Sequence, residues 1–222
     1  MLGSLQLKSY PVHLFIEYGY VVEHQGRRER KKAEVRARIA DVATGLFLER
    51  GFDAVSVSEV AEAADVARPT VFAHFPRKED MLFDRYPEAE GLVVAAVNER
   101  PAGTSAVAAL SGLLVRLADQ GHPLSAMRVE FSRFWEVVAD SRALQARARE
   151  LLQHIEEAIA DAMERTGVRD PQLTAALTVA AYRVVHLEAV RRILAGEDVA
   201  VVAADHRARI VSALAGVDQL CR

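Results

Sequence analysis

The chain has 222 residues, 51% of them hydrophobic and 27% charged, with a formal net charge of −3. That apolar content supplies a core for one large domain or two small ones. The balance of charge excludes a chain coated in basic residues, so any nucleic-acid contact has to come from a local patch. A single cysteine, Cys221, excludes an internal disulfide and a cysteine-based zinc site.

Residues 1–26 mix Tyr10, Phe15, Tyr18 and Tyr20 with Pro11, Gly19 and Gly26. They carry no helical period, which predicts a mobile N-terminal extension. A basic run follows, in which Arg27, Arg28, Arg30, Lys31, Lys32, Arg36 and Arg38 are set against Glu29 and Glu34 alone. The first helix is predicted over 30–50, with Ile39, Val42, Ala43, Leu46 and Phe47 inward at 3.6-residue spacing. Gly51 then offers a left-handed stop.

Val57, Val60, Ala61 and Ala64 repeat at helical spacing, and Ser56 with Glu59 forms a capping-box pattern ahead of them. Asp65 interrupts the pattern. Pro69 suits the first turn of a second helix reaching about Phe75. Two short helices joined by a tight turn make a helix-turn-helix, whose second helix can enter a DNA major groove. On that helix Arg68, Thr70 and His74 are donors to base edges, and Phe72 and Ala73 suit a thymine methyl. Ser56 at the preceding helix start and Lys78 just beyond are placed for phosphate. An ordinary helical hairpin is the plainer account of the same residues.

A fourth helix is expected to begin at Lys78, with Glu79 and Asp80 against its N-terminal dipole and a kink or break at Pro87. Further helices are predicted over 105–119, 124–138, 142–166, 171–195 and 199–215. In the seventh, Leu144, Ala148, Leu151, Ile155, Ile159 and Met163 form one apolar stripe. The eighth carries Leu173, Ala176, Leu177, Ala180, Val184, Leu187 and Ile193, so it is apolar on more than one side. Such a helix needs two partners: one is its own core, and the other is either a second subunit or the thick core of a monomer. No apolar run is long enough to span a bilayer, and Val12–Ile16 is too short for a secretory signal, so a soluble intracellular chain is expected.

Met127, Phe131, Phe134 and Trp135 on the sixth helix, with Tyr182 and His186 on the eighth, form a cluster, an apolar wall with few polar groups, which would suit a small-molecule pocket. Plain core is the alternative for each. Catalytic motifs are missing: there is no GxSxG, phosphate-binding loop or GxGxxG. Glu150 and His154 stand one turn apart without a second such pair, which a di-metal carboxylate site would need. No catalytic residue, metal ligand or cofactor is assigned.

The run RARIADVATGLFLERGFDAVSVSEVAEAADVARPTVFAHFPRKEDML resembles the DNA-binding domain of the TetR family of bacterial transcriptional regulators. The resemblance covers about residues 32–82. It departs at Asp65, where the family usually has glycine, at Ala67 for a Ser or Thr cap, at Phe72 for tyrosine and at Arg77 for serine. What it implies is an all-α fold, with a three-helix helix-turn-helix domain over 27–77 and a six-helix effector and dimerisation domain over 78–222. It further implies a cytoplasmic repressor that does not engage membranes. That repressor would be a homodimer through the last two helices on a palindromic double-stranded DNA operator, released by a small hydrophobic effector. An arm before the first helix, here Arg27 and Arg28, would reach the minor groove, and Lys32 would lie beside the same duplex. An all-helical interaction module or a metal-carboxylate enzyme is the alternative.

Overall fold

The computed structural model describes residues 26–125 and 131–221, which form nine α-helices. Residues 1–25 of the expected N-terminal extension, and Met127, lie outside the described residues.

Helix α1 (Arg27–Arg50) starts three residues before the expected Arg30, with Glu29 in its first turn complementing the dipole. Ile39, Ala40, Ala43 and Phe47 are its buried face. Gly51 ends it at φ 84 and ψ 150. The positive φ is as expected, but the residue is extended rather than left-handed helical, a conformation open essentially to glycine alone. The helix-turn-helix follows as α2 (Val57–Ala63) and α3 (Arg68–His74).

The next stretch differs from expectation. Lys78–Met81 is a single 3₁₀ turn, and α4 (Tyr86–Asn98) starts afresh with Pro87 in its first turn. Pro87 therefore opens a helix instead of kinking one: its missing N–H costs nothing in the first turn, where that group has no partner anyway. Helix α5 (Ala106–Asp119) is capped by Ser105, whose Oγ accepts from Ala108 N at 3.0 Å. After a 3₁₀ turn at Pro123–Ser125 comes α6 (Ser132–Asp140). Helices α7 (Arg142–Arg165) and α8 (Pro171–Leu194) fall where the apolar period puts them, and α9 (Val199–Leu220) runs beyond the expected end.

Two main cores result. The first joins Ile39, Phe47, Phe52, Val60, Val71, Phe75 and Met81 to Val137, Val138 and Leu144. Helices α6 and α7 thus complete the apolar interior beneath the helix-turn-helix. Polar links reinforce the junction. Arg133 Nε donates to Leu48 O at 2.8 Å, Ser141 Oγ donates to Asp53 Oδ1 at 3.0 Å, and Arg147 pairs with Asp80 at 2.7 Å. The second core, with Val97, Leu110, Met163, Ala175, Val185, Ile210 and Leu214, lies among α4, α5, α7, α8 and α9. A small third cluster of Ala189, Val190, Ile193 and Val202 meets the first through Trp135, which packs on both.

Helix α8 divides its apolar residues between two faces. Ala175, Val179, Val185, Ala189, Val190 and Ile193 are buried, whereas Leu173 and Val184 are each 58% exposed and Leu187 is 47% exposed. On α9, Val201 and Val211 are exposed as well. By length and composition α8 also passes as a possible bilayer span, contrary to the expectation that no stretch would.

Candidate nucleic-acid interface

The interface is built from the α2 cap upward. Ser56 Oγ accepts from Glu59 N at 3.2 Å, and Ser56 N donates back to Glu59 Oε2 at 2.8 Å. Glu59 also pairs with Arg50 at 2.7 Å. Its carboxyl is drawn down to about 2, chiefly by the Ser56 backbone N–H and then by Arg50. Asp65 stands in the turn at φ 51, the left-handed conformation for which glycine is the cheaper residue. The turn is closed by Val66 N donating to Ala61 O at 3.0 Å. Ala67 supplies no side-chain cap to α3, as its methyl group dictates.

Val71 and Phe75, each at most 1% exposed, hold α3 to the first core. The opposite face is thereby turned to solvent. Arg68, Phe72 and Ala73 are exposed, and Thr70 and His74 are half-buried beside them. The Arg68 guanidinium lies over the Phe72 ring, 5.5 Å from its centroid. Burial, followed by Arg36 and Lys32, holds the His74 imidazole below its ordinary 6.5.

Arg36 does more than its place in the basic run foretold. Its Nη1 donates to His74 O at 2.6 Å and its guanidinium covers the Phe75 ring at 4.1 Å. It therefore ties α1 to the end of α3, satisfying a terminal carbonyl. Only the tertiary packing, thirty-eight positions apart in sequence, reveals that role.

Two other expected contacts are placed differently. Lys78 Nζ turns inward, donating to Phe52 O at 2.5 Å and lying 4.0 Å from the Phe52 ring centroid. Burial pushes this ammonium below its ordinary value. Arg27 and Arg28 form the first turn of α1 rather than an arm. Arg28 and Lys32, four apart and exposed, share one face of it.

Between α6 and α8, the rings of Phe134 and Trp135 lie 4.9 Å apart, and Trp135 meets His186 at 5.0 Å. Tyr182 stacks on His186 at 5.1 Å, with its hydroxyl 3.3 Å from His186 Nδ1. His206 on α9, absent from the sequence-derived wall, adjoins His186 at 5.6 Å. Phe134 also meets Phe83 at 6.3 Å and packs on the first core, and Phe131 is buried. A cavity of about 20 Å³ lies beside Tyr182 and His206. That is room for about one water. Glu150 is committed to Arg77 and Arg147, at 2.5 and 2.9 Å, while exposed His154 meets Tyr86 edge-on.

The histidines predict an acid-sensitive fold. Burial, and then His206, depresses His186 from 6.5 to about 3. As pH falls through that interval the unfolded chain takes up a proton that the native chain refuses, so stability drops. Burial raises Asp84 from 3.8 to about 6, which works in the opposite sense over its own interval. Thermal melts across this pH range are expected to show a smaller acid loss for His186→Phe than for the parent. An unchanged pH slope would remove His186 from the account.

Residues 39–84 match the family model described as bacterial regulatory proteins, tetR family. The HTH-type transcriptional regulator TcmR of Streptomyces glaucescens is 34% identical over 87 residues, 39% of this chain and 38% of TcmR. The chain thus spans about two-fifths of that relative's length. Among solved structures, a SmeT–triclosan complex gives a TM-score of 0.55 at 16% identity, over 82% of this chain and 91% of SmeT. NalD, the secondary repressor of the MexAB-OprM multidrug efflux pump in Pseudomonas aeruginosa, gives 0.52 at 20% identity, over 84% and 97%. At such identities these structures speak for the fold alone. Residues 39–84 are thus similar to the helix-turn-helix domain of the tetR family of bacterial regulatory proteins, and the described residues share the all-helical fold of these solved structures.

Proposed function

We propose that this protein is a cytoplasmic, DNA-binding transcriptional repressor, acting as a homodimer on a palindromic operator and released by a small hydrophobic ligand. The observation that carries the reading is α3. It is anchored by Val71 and Phe75 and offers Arg68, Thr70, Phe72, Ala73 and His74 on its free side. In the proposal these residues meet base edges and thymine methyl groups. Arg28, Lys32 and Ser56 meet phosphate. Lys78 joins them on releasing the Phe52 carbonyl. The exposed apolar stripes of α8 and α9 support the homodimer, since a two-fold pair delivers two recognition helices to two half-sites. Effector release is supported by SmeT, a structural neighbour seen in complex with triclosan. The effector wall is Phe131, Phe134, Trp135, Tyr182 and His186, together with Met127.

Selection of bound fragments from random duplex DNA tests the reading, with a palindromic motif as the expected product. No enriched motif at low salt would overturn it. On the selected site, Arg68→Ala is expected to relax preference at particular base pairs by ~1–3 kcal/mol, as loss of a bidentate base contact does. Equal losses on every duplex would assign Arg68 to the backbone instead.

A further inference from the structure

We propose that the cavity between α5, α8 and α9 binds the hydroxyl end of a small, uncharged and mainly apolar molecule, an alcohol or a phenol, held by His206. The inference rests on the ligand-released reading above and gives that ligand a chemical class and an anchor. Leu114 and Leu117 of α5, Leu124, Tyr182 of α8 and Ile210 of α9 line the space, with His206 among them. His206 is 9% exposed, and its Nε2 is buried without a hydrogen-bond partner among the described residues. A buried polar atom left unpaired is costly, and a native fold keeps few of them.

The chemistry of that atom selects the ligand. Burial, and then Arg209, holds the imidazole below its ordinary 6.5, so at neutral pH it is uncharged. A neutral imidazole presents either an N–H or a lone pair at Nε2, according to tautomer. A hydroxyl answers both, because it donates and accepts. A carboxylate answers only the first and an ammonium only the second, and the leucine and isoleucine walls penalise either charge.

Arg207, also at the cavity, is already bound to Asp119 of α5 through contacts of 2.7 and 3.0 Å. Both side chains of this bridge are about half exposed, at 46% and 51%. A bridge so exposed contributes little and opens readily. The cavity of about 20 Å³ receives the hydroxyl, and the ligand's apolar body enters as the Arg207–Asp119 pair swings aside.

Calorimetric titration of the full chain with phenol and with toluene, its partner lacking the hydroxyl, tests the assignment. Saturable phenol binding is expected, with toluene weaker by about tenfold or more because His206 is left unpaired. His206→Phe should erase the preference for phenol, and Asp119→Ala should tighten phenol binding by removing the bridge. Equal affinity for both probes, a preference that survives His206→Phe, phenol binding not tightened by Asp119→Ala, or no binding of either probe overturns the site. Should His206→Phe lose its helical circular dichroism, Leu114→Phe fills the cavity from the opposite wall with His206 intact. Phenol binding is then expected to vanish, and its persistence overturns the site. Gel shifts on the same samples without phenol report operator binding separately. A failure of DNA binding therefore counts against the regulator reading and not against the cavity.

Discussion

Leu144→Ala is expected to destabilise the helix-turn-helix half of the molecule, although Leu144 lies at the start of α7. Its side chain is fully buried and belongs to the same core as Ile39, Phe47, Val71 and Phe75. Truncation removes three carbons' worth of buried surface and leaves a void in that shared core. Large-to-small changes of this kind cost about 3–5 kcal/mol where the surroundings collapse incompletely. Domains of ordinary stability have only ~5–15 kcal/mol to lose. Urea unfolding followed by circular dichroism should show one shifted transition, and operator binding should weaken at temperatures the parent tolerates. A loss below ~1 kcal/mol would mean that α7 is not a structural part of the helix-turn-helix core.

The second large effect concerns the outward stripes. Paired replacement of Val184 and Val211 by arginine should leave the subunit folded, because both side chains are already solvent-exposed within it. In the proposed homodimer the same residues would be covered. Four guanidinium groups would then meet across a two-fold axis, where burial and like-charge repulsion add. Sedimentation should give a single subunit in place of a pair. Operator affinity should fall by about a hundredfold or more, since linked half-site contacts become separate ones. A variant that still sediments as a pair and holds its operator would place the subunit contact elsewhere.

Local signals explain what was legible in the sequence. The Ser56–Glu59 box, the interruption at Asp65 and the first-turn Pro69 each act within a few residues, and all three stand where they were expected. The apolar stripe of α7 was equally readable, since Leu144, Leu151, Ile159 and Met163 are buried. Pro87 was misplaced because Met81, Leu82 and Tyr86 look like one continuous face. Their period is broken by a 3₁₀ turn that leaves no compositional mark. Arg36, Lys78 and His206 were obscure for another reason: each meets a partner on a different element, the His74 carbonyl, the Phe52 carbonyl and the His186 ring. For Lys78, the same charge that suggests an outer phosphate contact serves equally well to close an inner loop.

The interior shared by α1–α3 with Val137, Val138 and Leu144 has a practical corollary for anyone recombining such proteins. Cutting after residue 77 and grafting the front piece onto a foreign sensor would strip the core that holds Phe47 and Phe75 of Met81, Leu82, Val137, Val138 and Leu144. A working chimera would have to carry the 131–147 segment with it, together with Arg133 and Ser141, the side chains that latch onto Leu48 and Asp53. The transplantable unit is therefore discontinuous in the chain, and a seam drawn by motif alone would pass through the middle of it.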